Sequence, residues 1–330
     1  MQCRPSLPTK PKYTIAIPVY NRLEYLKQAI QSSLAQTVSD FEVVVSDDCS
    51  TDDLGSVVNS FNDPRIVYHR SARRLGAAQN HQLSVALSHG DYIVNLHSDD
   101  LLFPTYLEVA GHALDTRGEG AAVYSPMACL SGSKITGWNS VPKIRFANNE
   151  VYLANLWLEK FHNTGPTCCL FRRSAFQRIG GYRVSLRFAY DWELFMRFMT
   201  IGGGVLFLSD ILSVYRIHEG QASQTVSVQG LYDILDLWQL NEYAHWPSSD
   251  IADLVLTVLS IAVRSGSDWV DILEQIRRSG LALRVLRGFP RAVLNKALRK
   301  ARLSAKGDSN YESPANLESA FRTAGAQIGN

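Results

Sequence analysis

The stretch Phe41-Glu-Val-Val-Val-Ser-Asp-Asp-Cys-Ser-Thr-Asp-Asp53 carries an apolar, β-branched run straight into a cluster of carboxylates. A short apolar run bounded by turn-forming residues reads as a strand covered on both faces. Upstream, Tyr13-Thr-Ile-Ala-Ile-Pro-Val19 has the same character. Between the two, Leu23, Leu26, Ile30 and Leu34 recur on one face of a helix spanning 22–36. Downstream, the pattern predicts a short helix over 53–61, a strand over 65–69 and a helix over 77–88. A further strand, Asp91-Tyr-Ile-Val-Asn-Leu96, ends at His97-Ser98-Asp99-Asp100, and Pro104 is expected to open the next helix from its first turn. Strands alternating with helices in this way predict right-handed crossovers and a mostly parallel sheet. In such sheets ligands bind beyond the carboxyl ends of the strands, where both acidic pairs, Asp47-Asp48 and Asp99-Asp100, fall.

Further along, residues 118–150 are rich in Gly, Ser and Asn and are expected to hold edge strands and loops. Helices are expected over 151–160, 173–179 (stopped by Gly180-Gly181) and 191–199, with a strand over 205–208. Beyond residue 221 the strand signals vanish, and 230–244, 251–264 and 291–305 read as helices before a polar tail. The expected organisation is therefore a nucleotide-binding half over 1–110, a second half over 111–225 and a helical C-terminal region over 226–330. The sequence contains neither a phosphate-binding G-x-G-x-x-G nor a P-loop fingerprint.

Composition narrows the class. The chain has 330 residues, is 46% hydrophobic and carries a net charge of +2, as an ordinary globular protein does, so total charge gives no case for nucleic acid. Five cysteines are too few for a disulfide framework at this length; they are expected to be reduced and buried, in keeping with a cytoplasmic protein. Residues 1–12 hold three prolines and no apolar core, unlike a secretory signal. The longest apolar run, 254–263, is about half of what a membrane-spanning helix needs. The near-neutral total conceals an uneven distribution, since 275–306 carries ten basic residues and no acidic one. Val293, Leu294, Leu298 and Leu303 form an apolar stripe within that basic segment. Such a helix can lie on an anionic membrane surface, or serve as one face of a helical bundle or an oligomer contact. Without interleaved aromatic residues it is a poor platform for nucleic acid.

Taken singly, the polar clusters leave alternatives open. In Asp47-Asp48 one carboxylate could cap the next helix while the other is solvated, or the pair could receive donors from a ligand. Asp99-Asp100 repel one another unless donors or a cation neutralise them, and a hard divalent ion can use one or two carboxylates together with substrate phosphates. Asp191, at the start of an amphipathic helix, is either a first-turn acid favoured by the helix dipole or a general base. His218 is a lone histidine after a strand.

Their order is more specific. Thr14-Ile-Ala-Ile-Pro-Val-Tyr-Asn21, Ser33-Leu-Ala-Gln36, Val45-Ser-Asp-Asp-Cys-Ser-Thr-Asp52, Gly76-Ala-Ala-Gln-Asn80, Gly90-Asp-Tyr-Ile93 and Leu96-His-Ser-Asp-Asp100 stand in one sequence. Gly180-Gly-Tyr182, Tyr190-Asp-Trp-Glu193 and Tyr215-Arg-Ile-His218 follow. This succession, over about residues 13–220, resembles the family 2 glycosyltransferases. The resemblance implies an α/β protein of GT-A type, with a mostly parallel sheet flanked by helices and a C-terminal helical appendage. It implies an inverting transferase that takes a sugar from a nucleotide-sugar donor, UDP-linked first, with Mn²⁺ or Mg²⁺, and passes it to a glycan or lipid-linked acceptor in surface polysaccharide synthesis. Carried over by position, Pro18, Tyr20 and Asp48 border the base, and Asp48 accepts from the N3–H of a uracil or thymine ring. Asn80 and the loop 73–76 line the donor pocket, Asp99 approaches the ribose and diphosphate, Asp100 holds the metal bridging the phosphates, His218 faces the leaving diphosphate or the metal, and Asp191 is the general base. Two positions depart from the family's pattern: His97 stands where many members have Asp, and Tyr190 stands where Glu is usual. These departures keep a non-catalytic sugar-nucleotide-binding scaffold in view. A nucleotidyltransferase is disfavoured because Tyr20-Asn21-Arg22 occupies the place of its Gly-rich loop. The basic segment 275–306 is expected to allow peripheral contact with the cytoplasmic leaflet, where a lipid-linked acceptor would be presented.

Overall fold

The computed structural model describes residues 10–138 except 117 and 119, residues 169–221 except 202, 203 and 209, and eight positions beyond (233, 236, 237, 274, 276–278 and 287). The expected helix over 151–160, the helices beyond 221, the basic apolar stripe over 293–303 and the N-terminal residues 1–9 lie outside the described residues, apart from those eight positions.

The first half folds as its periodicities dictate. Strands β1 (Tyr13–Val19), β2 (Phe41–Asp47), β3 (Ile66–Arg70) and β4 (Tyr92–Asn95) alternate with helices α1 (Leu23–Leu34), α2 (Leu54–Ser60) and α3 (Ala77–Ala86). β1 pairs in parallel with both β2 and β4, and β2 with β3. Every residue of β1 and β2 is buried, as expected of central strands covered on both faces. Successive side chains point to opposite faces. Tyr13, Ile15, Ile17 and Val19 therefore pack with Leu26 and Ile30 of α1, while Ala16 faces Ala78 and Val85 of α3 on the other side. Pro18 is tolerated in this interior strand because the β1–β4 ladder ends at Ala16↔Asn95, before a proline would leave a gap on that side.

After β5 (Leu101–Leu102), helix α4 begins at Tyr106 and runs to Thr116. Pro104 thus precedes the helix rather than occupying its first turn, and its carbonyl accepts from the Thr37 N–H. Strands β6 (Ala122–Tyr124), β7 (Met127–Ser131), β8 (Lys134–Trp138), β9 (Cys169–Arg172), β10 (Val205–Phe207) and β11 (Ser213–Ile217) follow, with helices α5 (Arg173–Arg178) and α6 (Tyr190–Thr200) between β9 and β10. The larger sheet has the order β10-β6-β9-β4-β1-β2-β3, and β5-β11-β7-β8 form a smaller one. β6 is therefore an interior strand rather than the expected edge: β9 inserts antiparallel between β4 and β6, and β10 covers the far side. Of the described cysteines only Cys169 is buried; Cys49, in the loop after β2, and Cys129, in the middle of β7 where its pairing with β8 is irregular, are partly exposed. Leu237 and Ile276 of the C-terminal region are buried in the same apolar cluster as Trp192, Phe195 and Phe198 of α6.

Candidate active site

The carboxyl ends of β1, β2 and β4 converge, and their loops are tied together by side chains. Neither Asp47 nor Asp48 caps α2; Asp53 does, accepting from the Ser56 N–H. Asp47 is fully buried and accepts from the Ser50 N–H at 2.8 Å and the Tyr68 hydroxyl at 2.6 Å, so it shapes the turn. Asp48 accepts from the backbone N–H groups of Leu75 (2.5 Å) and Gly76 (3.0 Å), drawing the 73–76 loop over the strand ends. Gly76 sits at φ +89, a conformation that side chains with a Cβ rarely adopt. The loop's Arg74 guanidinium lies 3.8 Å from the centre of the Tyr20 ring. Asn80 is buried: its amide donates to the carbonyls of Ser46 (2.9 Å) and Val19 (3.4 Å) and accepts from the Ser46 hydroxyl (2.7 Å), clamping β1 to β2. Asn21 and Arg22 both have positive φ, 57 and 65, strained for such residues and characteristic of a functional loop.

The second cluster follows β4. Asp99 and Asp100 are buried at 7% and 1% exposure, so their charges demand partners. Asp99 is paired with Arg22 and accepts from His218 Nε2 at 3.0 Å. Burial pushes the Asp99 carboxyl up, but its surroundings of His97, the Arg22 guanidinium and the His218 hydrogen bond outweigh it and hold the group below the ordinary range. Asp100 accepts from the Arg216 N–H at 3.0 Å, and the Arg216 guanidinium donates to the Asp99 carbonyl at 2.9 Å. Strand β11 is thereby pinned to the acidic turn, bringing His218 into it. His97 Nδ1 lies 3.7 Å from an Asp100 oxygen. One ligand atom each from His97, Asp99 and Asp100 can be chosen so that all lie within 4.8 Å of one another, a spacing from which a small contraction would let them share a single divalent ion.

Asp191 sits in the first turn of α6. Its own oxygen accepts from the Trp192 N–H at 2.7 Å. Although part of the residue's surface is accessible, the surrounding protein desolvates the carboxyl and raises its pKa to about 7. A chain of touching rings links this helix to the acidic turn. His81 of α3 meets His97 edge-on at 5.3 Å, and Tyr190, the neighbour of Asp191, at 5.0 Å between ring centres. His81 is buried, its pKa is lowered to about 3 by desolvation and it donates from Nδ1 to the Ala77 carbonyl, while Nε2 has no hydrogen-bond partner among the described residues. The rings of Tyr190, His81 and His97 thus connect the first turn of α6 with the residue that precedes the Asp99-Asp100 turn.

Several residues at the site went unmarked in the sequence. His97 was visible only as a departure from a pattern, and Arg22 and His81 adjoin residues that were singled out. Asp233 had no local signal. It accepts from three consecutive backbone N–H groups, of Arg187 (2.9 Å), Phe188 (2.6 Å) and Ala189 (3.0 Å), and so fixes the approach to α6 from the C-terminal region. Asp233→Ala leaves these buried or half-buried donors without an acceptor and is expected to lower stability by about 2–3 kcal/mol, read from thermal melts; an unchanged Tm would refute the clamp.

Solved structures carry the same architecture. S. aureus TarS in complex with UDP-GlcNAc superposes with a TM-score of 0.57 at 19% identity, over 74% of this chain and 71% of that one. The mannosyltransferase PcManGT from Pyrobaculum calidifontis in complex with GDP-Man and Mn²⁺ does so at 0.51 and 17% identity, over 97% and 81%. The fold is of GT-A type. Residues 14–180 match Glycosyl transferase family 2; the chain belongs to that family and is a glycosyltransferase. Its curated relatives include an uncharacterised glycosyltransferase of Rickettsia typhi, 27% identical over 69% of this chain and 70% of that protein. The succinoglycan biosynthesis protein ExoO of Rhizobium meliloti is 26% identical over 84% and 81%. The UDP-Glc:alpha-D-GlcNAc-diphosphoundecaprenol beta-1,3-glucosyltransferase WfaP of Escherichia coli is 25% identical over 64% and 79%. No helix among the described residues is long and apolar enough to cross a membrane.

Proposed function

We propose that this glycosyltransferase moves a sugar, with inversion, from a nucleoside diphosphate donor, UDP-linked first, to a hydroxyl of a glycan or lipid-linked acceptor in surface polysaccharide synthesis. The observation that supports the reading is the desolvated Asp191 carboxyl, its pKa raised to about 7, whose chain neighbour Tyr190 touches His81, which in turn touches His97 at the head of the Asp99-Asp100 turn. A base is most effective when its pKa lies near the working pH. Asp191 takes the proton of the acceptor hydroxyl as that oxygen bonds to the anomeric carbon; the bond from that carbon to the phosphate oxygen breaks on the opposite side, and the diphosphate leaves with the electron pair.

Asp48 retains lone pairs beyond those its loop amides use, enough to accept from a uracil N3–H, with Tyr20 and Pro18 beside the ring. Asn80 serves the pocket from below by holding the strand ends. Asp99 and Arg22 stand ready for the ribose and diphosphate. A divalent ion, Mn²⁺ or Mg²⁺, held by Asp100 with His218 nearby, would draw negative charge from the departing diphosphate as a Lewis acid. The UDP-GlcNAc and GDP-Man–Mn²⁺ complexes of the structural relatives, and the lipid-diphosphate acceptor in the name of WfaP, support donor, metal and acceptor classes. Peripheral contact of segment 275–306 with a cytoplasmic membrane face belongs to the same proposal, supported by its ten basic residues and no acidic one; binding to anionic liposomes at low salt is expected, and its absence would sink that part.

Asp100→Ala tests the donor site. UDP titrated into the wild type with Mn²⁺ is expected to bind in a metal-dependent way, and the variant to lose that dependence. Equal titrations for the two proteins would overturn the assignment.

A further inference from the structure

His97 is one of the two residues by which this chain departs from the acidic pattern of its family, and its place in the structure gives that departure a chemical meaning. We propose that His97 supplies a nitrogen ligand to the divalent ion at the Asp99-Asp100 turn, so that the site prefers Mn²⁺ to Mg²⁺. The assignment rests on the metal-dependent reading above and adds a ligand and a selectivity to it.

Three observations carry it. First, His97 Nδ1 stands 3.7 Å from the Asp100 oxygen, beyond an ordinary hydrogen bond. Two donors about 2.1 Å from one octahedral ion lie about 3 Å apart when adjacent and about 4.2 Å when opposite. The 4.8 Å limit that encloses the His97, Asp99 and Asp100 donors is slightly wider than this range, so a small contraction completes the set. Second, the ring is oriented from behind: His81 meets it edge-on, 85° between planes, and His81 is itself fixed by its bond to the Ala77 carbonyl. Third, the two carboxylates are already compensated by Arg22, His218 and Arg216. A neutral nitrogen donor adds coordination without adding a third negative charge to this buried turn. Imidazole suits first-row transition ions, whereas Mg²⁺ favours oxygen ligands and retained water.

The full-length protein loaded with Mn²⁺ in the presence of UDP is examined by pulsed EPR, which detects ¹⁴N coupling from a directly bound imidazole. The coupling is expected in the wild type and in His218→Ala, and lost in His97→Ala. His97→Asp, which restores an oxygen donor and guards against a folding defect in the alanine variant, is expected to narrow the Mn²⁺ over Mg²⁺ binding preference about tenfold, measured by competition titration. Mn²⁺ bound without ¹⁴N coupling, or coupling that survives His97→Ala, would overturn the ligand while leaving the metal-dependent reading intact. Failure of the wild type to bind Mn²⁺ with UDP would overturn both.

Discussion

Asp191→Asn is expected to lower turnover by about 10²–10⁴-fold, the usual contribution of a general base, while leaving nucleotide affinity nearly unchanged. The same carboxyl gives a pH signature. Burial raises its pKa from 3.8 to about 7, so wild-type turnover should climb tenfold per pH unit below about 7 and level off above it. Stability should run the other way. Between about pH 4 and 7 the folded state holds a proton that the unfolded chain has released, so folding weakens as pH rises through that window, and the full cost is present above it. Asn carries no such cost. The variant should therefore gain on the order of 1–4 kcal/mol over the wild type at pH 8 and almost nothing at pH 4. A dead enzyme that is more stable than its parent only at high pH would be hard to explain by any role but that of a desolvated, functional carboxylate. A turnover profile flat down to pH 5, or a Tm difference independent of pH, would remove Asp191 from the chemistry.

How much of this was legible depends on how local each cause is. Strands β1, β2 and β4 announce themselves because Ile15, Ile17, Val43–Val45 and Ile93–Val94 are apolar on both faces, which a central parallel strand requires. Strand β9 gives no comparable cue to its partners. It joins β4 and β6 antiparallel, with Tyr92↔Arg172 spanning 80 residues of chain, and so turns a reading of β6 as an edge into an error. The acidic pairs were placed correctly at strand ends. Their partners were not legible: Asp48 takes Leu75 and Gly76 from the following crossover, Asp99 takes Arg22 and His218 from 77 residues before and 119 after, and Asp233 reaches back to residues 187–189. A buried carboxylate predicts that donors exist; only the fold says which ones. His97 shows the converse: its identity was plain, and its meaning needed the geometry of the turn.

Glu193 makes the same point with the larger energetic consequence. In sequence it closes the Tyr190-Asp-Trp-Glu193 motif as one more acid in the first turn of α6, and nothing nearby names its partners. In the fold it is completely buried and holds two arginines: Arg183 through Nε at 2.6 Å, and Arg197, one helical turn on, through Nε and Nη2 at 2.6 Å each. Arg197 in turn donates to the carbonyls of Ile179 (2.6 Å) and Gly181 (2.7 Å), fastening α6 to the turn after α5. That turn requires its glycine, since Gly181 sits at φ +73, where a Cβ would be strained and would also meet the Gln82 amide. Removing one partner of a buried pair costs more than the pair contributes, because the remaining charge keeps its desolvation penalty. Glu193→Ala is therefore expected to destabilise the protein by about 3–5 kcal/mol, lowering Tm by roughly 10 °C. Glu193→Gln keeps the shape and one acceptor but not the charge, and should fall between Ala and wild type. Replacing Arg183 and Glu193 together by Met and Gln should recover part of the loss, since fewer unpaired charges remain around the site. If Glu193→Ala melts with the wild type, the α6 anchor is not where the energy lies, and the position of Asp191 must be held by the Asp233 clamp and the Trp192–Phe198 face instead.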